Sequence, residues 1–478
     1  GGDRMRTTAL IICVLAASAA AEEATPRLSP KQAWQDMQAK LNAARSERNF
    51  DEYRRLQQAA PKEFLAAWAA AERLAKGEER YFLGQFQAMA RKYSAAMGSF
   101  AACNKDESLP ENLRGPAWMG YARATQSALT AGEIDSEQGI EAIRWVEREM
   151  AGLDAPQRTS LHGVLGAACD LAGQADAAIK HHMESARGRP AGAYSAARSI
   201  GSILVKESVD LDRIEAARER GTVLFTALSK LYQGYVEELG AKLELLENLP
   251  EDKRGTAHEK QVQRAKTQHS RAQSTLKRIG GQSKPLELLG TAAPEWTAEH
   301  VFQGGKTLAD YRGKVVILDF WATWCPWCIR SFPALRDVMK DYKDQPLALV
   351  GVTASANYVY EQRYDLDDDF KEKATGRPQP TLRLTAGGDE EEHRKNEKDV
   401  IAKFIKNHEM NWDVIMIDKT EPAAKYALSG WPHAVVIDKQ GRIRFLKAGA
   451  LLKDRPAAVK KFRAVLDKLL AEEAPTTK

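Results

Sequence analysis

The sequence predicts an all-α N-terminal domain followed by an α/β domain, and three observations carry that expectation. Residues from about 28 to 280 are rich in Ala, Glu, Arg, Gln and Leu and have few β-branched runs, which is a helical composition. Apolar runs of strand length at 314–321, 347–352, 414–417 and 430–438 come only after that stretch. Gly280-Gly281 stands between the two regimes and marks a hinge.

In chain order, residues 5–21 come first, with Arg6, an apolar centre from Ala9 to Ala17, and Ala19-Ala20-Ala21 before Glu22. This is the layout of a Sec-type signal peptide, so export and cleavage near Ala21 are expected. The apolar centre is too short to span a bilayer, and an uncleaved anchor is the alternative. Cys13 follows Ile11 and Ile12, without the small residue that a lipoprotein site needs.

Residues 28–250 form the expected helical domain. Two segments about forty residues apart echo each other: Leu129 to Asp135 leads into Gly139 to Ile143, and Leu171 to Asp176 leads into Ala177 to Ile179. A small-residue turn followed by an amphipathic helix resembles a tetratricopeptide-type hairpin, so the domain reads as a TPR-like solenoid or a helical bundle. A solenoid offers a concave surface for a protein partner; a bundle merely holds the next domain away. Between Asp210 and Leu249, three- and four-residue spacing from Ile214 to Leu246 predicts one long amphipathic helix. With no strict heptad, and with Gly234 and Gly240 inside it, it is expected to pack within the chain rather than form a dimer seam. Residues 251–282 are basic, with Lys253, Arg254, Lys260, Arg264, Lys266, Arg271, Lys277 and Arg278, and read as a solvated linker helix.

The 478 residues support two or three domains, and 44% apolar composition suffices for packed cores. A net charge of +5 with 28% charged residues is nearly balanced, and no basic tract with interleaved aromatics occurs, so no nucleic-acid partner is expected. Cys103, Cys169, Cys325 and Cys328 would remain after cleavage, which is sparse for an exported chain. Cys103 and Cys169 either pair or sit buried as small apolar thiols.

The chemistry concentrates at Trp321-Ala322-Thr323-Trp324-Cys325-Pro326-Trp327-Cys328. The run before it, Lys314 to Trp321, is a strand of the kind buried on both faces. After it, Ile329, Phe332, Leu335, Val338 and Met339 keep helical spacing, and Pro326 suits a first helical turn. Cys325 is thereby placed at a helix N-terminus, where the dipole and free N–H groups lower a thiol pKa from about 8.5 to roughly 3.5–7.5. Cys325 is the candidate nucleophile, and Cys328, one turn on, is placed to resolve a mixed disulfide. Asp319, an acid inside an apolar strand, would have its pKa raised if buried and would accept the Cys328 proton. In Gly430-Trp431-Pro432-His433, the proline either ends a loop or forms a cis bond that presents backbone to a substrate strand. A zinc half-site would need a second ligand pair, which the sequence lacks.

Residues from about 283 to 472 resemble the thioredoxin superfamily, specifically its envelope branch of TlpA/ResA/DsbE-type thiol-disulfide oxidoreductases. The resemblance is carried in order by Gly290 to Trp296, Leu308 to Lys314, Phe320 to Cys328, Pro333, and Gly430 to Ile443. It implies a thioredoxin fold with a central mixed sheet flanked by helices, no dissociable cofactor, and a redox-active Cys325–Cys328 disulfide. It further implies Cys325 as attacker, Cys328 as resolver, Pro432 as cis-proline and Asp319 as the buried acid. Trp324, Pro326, Trp327, Trp431 and Pro432 become the candidate substrate-binding residues. Envelope proteins with disulfides, apocytochrome among them, would be substrates, and a membrane dithiol the donor. The chain departs from the branch in having Ser331 for a glutamate, Pro326-Trp327 between the cysteines, and His433 for a threonine after the cis-proline. These positions tune potential, so direction stays open, with reduction as what the resemblance implies.

An insertion at about 355–411 interrupts the thioredoxin-like domain, with a helix expected from about Asp389 to His408. Asp365, Asp367, Asp368 and Asp369 lack the Gly and Glu of a calcium loop and read as solvated. Tyr358, Tyr360 and Tyr364 suggest a flap over the substrate groove. The alternative function is an envelope scaffold that binds partners through its helical domain, with a minor redox role.

Overall fold

The computed structural model describes residues 28–69, 75–207, 211–356, 358–361, 381–383, 389–417, 425–428, 430–449 and 456–473. The signal-peptide segment, Asp365 to Asp369 and Tyr364 lie outside them. Two compact units are formed, Gly1–Gln174 and Ala175–Lys478.

The first unit is helical: α1 Pro30–Ser46, α2 Phe50–Gln58, α3 Ala60–Trp68, α4 Gly77–Met89, α5 Tyr93–Asn104, α6 Glu111–Ala131, α7 Ser136–Glu149 and α8 Ala155–Leu171. Side-chain caps start several of them, as Ser29, Asp135 and Asp154 each accept from the N3 backbone N–H in a capping box. The two echoed segments share a cause. Gly132 and Gly173, which follow α6 and α8, both take positive φ (73° and 79°), which glycine adopts without strain. Phe86 is enclosed by Phe64 (4.0 Å) and Trp34 (5.4 Å), and a second aromatic knot joins Trp118, Tyr121 and Trp145.

The second unit begins with α9 Ala175–Gly188, α10 Ala193–Glu207, α11 Ile214–Glu247, α12 His258–Gly280 and α13 Lys284–Leu288. The long helix expected between Asp210 and Leu249 is α11, and it packs within the chain, on α10 and α12. The basic stretch is not a solvated linker. Ala265, Ala272 and Ile279 of α12 are buried, and with half-buried His258, Val262, His269 and Leu276 they keep alternating four- and three-residue spacing along a seam on α11. The two compact units divide at Gln174, whereas the boundary expected from composition lies near residue 250. Gly280-Gly281 is no free hinge either: the Arg218 guanidinium of α11 donates to the carbonyls of Leu286 (3.0 Å), Glu287 (3.1 Å) and Leu289 (2.7 Å). Gly290 follows, with its N–H on the Ile443 carbonyl at 2.7 Å.

The remaining elements are β1 His300–Gln303, β2 Val315–Phe320, α14 Pro326–Asp341, β3 Leu347–Ala354, β4 Tyr358–Val359, β5 Leu382–Arg383, α15 Glu390–Asn407, β6 Asp413–Ile417, β7 His433–Ile437, β8 Ile443–Ala448 and α16 Pro456–Ala471. Six strands form one mixed sheet in the order β1-β6-β3-β2-β7-β8, parallel between β2, β3 and β6 and antiparallel elsewhere. This is the thioredoxin fold with helices flanking a central sheet. β2 lies inside the sheet with every residue buried, which is what its unbroken apolar run dictates. α15 is the expected insertion helix, capped by Asp389 accepting from the Glu391 and Glu392 N–H groups. β4 and β5 pair separately as a two-stranded sheet.

Candidate functional site

The site grows from the end of β2. After Phe320 the chain turns, and α14 starts with Cys325 as its N-cap and Pro326 at its first turn. Cys325 Sγ accepts the Cys328 backbone N–H at 3.2 Å, the bond that a side-chain oxygen makes at an ordinary N-cap. The same N–H and the helix dipole favour negative charge on Cys325 Sγ once the pair is reduced. Cys325 and Cys328 are joined as a disulfide with Cα atoms 5.4 Å apart. Cys328 is wholly buried and Cys325 nearly so, which gives the pair an outer and an inner sulfur.

Asp319 is buried beneath this turn, with Oδ2 free of any hydrogen-bond partner, and burial pushes its carboxyl up to about 7. It lines a cavity of about 20 Å³ together with Ser331, Leu335, Pro432, Ala434, Gly449 and Phe462. That volume admits one water molecule. The Trp431–Pro432 bond is cis, and Pro432 is buried beside the same cavity. Ser331 donates to the Trp327 carbonyl at 3.0 Å.

The other candidates separate into two groups. Trp324 and Trp431 meet edge to face at 6.1 Å. Trp327 instead stands 47% exposed, with the Arg330 guanidinium 4.9 Å over its ring. His433 is enclosed next to Pro432, opposite Phe320 in the β2–β7 ladder. Neither of its ring nitrogens has a partner, and burial pushes its pKa down to about 4. Sequence reasoning missed Thr323, whose Oγ1 accepts the Tyr360 N–H at 3.4 Å and so ties the dithiol turn to the insertion. The spacing of Tyr358 and Tyr360, two apart as on one strand face, was the available signal. A wider groove of about 650 Å³, lined by Phe302, Arg336, Ile405 and Met410 among others, shares no residue with this site.

Comparison with known proteins supplies the remaining observation. The AhpC/TSA family pattern matches residues 289–371. Thioredoxin-like protein YneN of Bacillus subtilis is 26% identical over 164 residues, which are 34% of this chain and 74% of YneN. The thiol-disulfide oxidoreductase ResA of Geobacillus thermodenitrificans is 20% identical over 171 residues, 36% of this chain and 75% of ResA. The C-terminal domain is similar to thioredoxin-like thiol-disulfide oxidoreductases. The thioredoxin domain of a thiol-disulfide oxidoreductase from Bacteroides vulgatus aligns with a TM-score of 0.24 at 22% identity, covering 36% of this chain and 96% of that one.

Two further thiols of this chain stand apart from the site. Cys103 on α5 and Cys169 on α8 are buried and unpaired, so the disulfide left open by the sequence does not form. Burial pushes both thiols up to about 12, the protonated and unreactive end of the range.

Proposed function

We propose that the protein is an exported oxidoreductase that reduces disulfides of envelope proteins through Cys325 and Cys328. The single observation that carries this reading is the Cys325 sulfur at the N-cap of α14, bonded to the Cys328 N–H and to the Cys328 sulfur. In the reduced protein the Cys325 thiolate attacks a substrate disulfide, forming a mixed disulfide and releasing one substrate thiolate. The Cys328 thiolate then attacks Cys325 Sγ, which closes the Cys325–Cys328 disulfide and releases the second substrate thiolate. Two electrons pass to the substrate, and Asp319, with a carboxyl near 7, takes the Cys328 proton. A dithiol donor in the membrane restores the reduced pair, and no dissociable cofactor takes part. Pro432 offers its neighbouring backbone, and Trp324, Trp327 and Trp431 their rings, to the substrate chain. Export is supported by the basic, apolar and small-residue layout of residues 5–21.

Replacing Cys328 with Ser and collecting covalent partners from cells tests the reading. Mixed disulfides through Cys325 are expected, and a Cys328→Ser protein that traps nothing overturns it. The reduction potential of the pair tests direction. A value near about −270 mV fits a reductant, and one near about −120 mV reverses the flow.

A further inference from the structure

Among the described residues from 284 onward, two large apolar side chains stand exposed, Trp327 at 47% and Tyr358 at 41%. Both are linked to the turn that carries one disulfide. Trp327 lies between the two cysteines on the first turn of α14. Tyr358, on β4, sets its ring edge to face against Tyr360 at 6.1 Å, and the Tyr360 N–H donates to Thr323 two residues before Cys325. A single exposed aromatic is unremarkable on a protein surface, whereas these two are both tied to the turn that carries one reactive pair.

The insertion that carries Tyr358 is fixed at several points. β4 pairs with β5 through Tyr358 opposite Arg383 and Val359 opposite Leu382. The Thr381 N–H donates to the Val359 carbonyl at 2.9 Å, and the Glu361 N–H to Thr381 Oγ1 at 2.9 Å. At the end of β3, the fully buried Glu397 of α15 accepts from the Ala356 N–H at 2.7 Å and from Ser355 Oγ at 2.6 Å. Tyr358 therefore sits on a hydrogen-bonded support that spans from the thiol turn to α15. Arg330 covers part of the Trp327 ring and limits its rotation.

We propose that the paired strands β4 and β5 form a specificity wall of the dithiol site. Tyr358 and Trp327 together select polypeptide disulfides that carry an aromatic or large aliphatic residue beside the cysteine. Such a side chain loses its water-exposed surface against the two rings, and a small polar one at that position gains nothing. This selection rests on the reading of Cys325 as the attacking thiol. The electrons balance as in that reading: the dithiol is oxidised to a disulfide and the peptide disulfide becomes two thiols.

The experiment mixes the full-length protein, reduced and freed of reductant, with two disulfide peptides that differ only in Phe or Ser beside the cysteine. Acid-quenched chromatography follows single-turnover release of peptide thiol. The Phe peptide is expected to react about tenfold faster. Tyr358→Ser and Trp327→Ser are each expected to cut that ratio to roughly threefold or less, and Tyr358→Phe to keep it, since the ring makes the contact. Both rates come from one protein sample, so the ratio does not depend on how much of a variant folds. A wild-type ratio near one, or an undiminished ratio in Tyr358→Ser, overturns the proposal. If neither peptide exchanges faster than with Cys325→Ser protein, the reading of Cys325 as the attacking thiol fails instead.

Discussion

Asp319 on β2 and Ala434 on β7 stand opposite each other in the antiparallel ladder, and both line the cavity beside the cis Trp431–Pro432 bond. Among the described residues lining that cavity none carries positive charge, so burial alone raises the carboxyl's pKa. A group whose folded pKa is raised stabilises the fold below its unfolded pKa and loses that contribution as pH rises through the folded value. For Asp319 the window runs from about 4 to about 7. Asp319→Asn is therefore expected to gain stability over the wild type at pH 8, by on the order of 4 kcal/mol, and to show little difference at pH 4. Urea unfolding at the two pH values checks this, and an equal gap at both would place the effect elsewhere than in ionisation.

His433 has the opposite sign. Its folded pKa, pushed down to about 4, means that the unfolded chain takes up the proton first, and stability falls as pH drops from about 6.5 to 4. Because neither ring nitrogen has a partner, His433→Leu removes no hydrogen bond. The variant is expected to be more stable than the wild type by about 2 kcal/mol at pH 5 and to lose much of that advantage at pH 8. Thermal melts across this range measure it.

Gly351 on β3 is paired with Asp319 across the parallel ladder and has no room for a side chain. A Cβ there would lie 2.9 Å from Trp321 Nε1 and 3.0 Å from Trp412 Nε1. Trp321 is itself stacked on Phe404 of α15 at 5.3 Å, so its ring has little freedom to give way. Gly351→Ala is expected to destabilise the second unit by about 1–3 kcal/mol and to shift the near-ultraviolet circular dichroism of its tryptophans. An unchanged spectrum and midpoint would contradict it.

Arg218→Met keeps most of the aliphatic stem and removes the three bonds to the carbonyls of Leu286, Glu287 and Leu289. The guanidinium is partly exposed, so a loss of roughly 2 kcal/mol is expected. Hydrogen exchange gives the sharper readout: amides of α13 and of the segment joining it to β8 should lose protection more than those of β2.

The parts of the fold visible in the sequence were those in which one local pattern has one physical solution. The run from Lys314 to Trp321 can only be buried on both faces, and Cys325-Pro326 ahead of a helical apolar stripe can only open a helix. α12 hid its packing because four of its seven seam residues, His258, Ala265, His269 and Ala272, are small or polar, leaving Val262, Leu276 and Ile279 too few to register as a hydrophobic stripe. The isomer at Trp431–Pro432 depends on the strands around it, since the dipeptide itself permits either. Tyr360 and Thr323 are 37 residues apart, and the two-residue spacing of Tyr358 and Tyr360 points to a strand without naming its partner.

The grip of Arg218 separates two definitions of a domain. The stretch matched by the family pattern begins at residue 289, whereas the compact unit that contains it begins at Ala175. Leu286 and Leu289 are buried, and Gly290 is so close to α11 that a Cβ would lie 2.8 Å from Ile214 Cδ1. A gene dissected at the boundary of resemblance would thus encode a catalytic fragment with a stripped flank, prone to self-association.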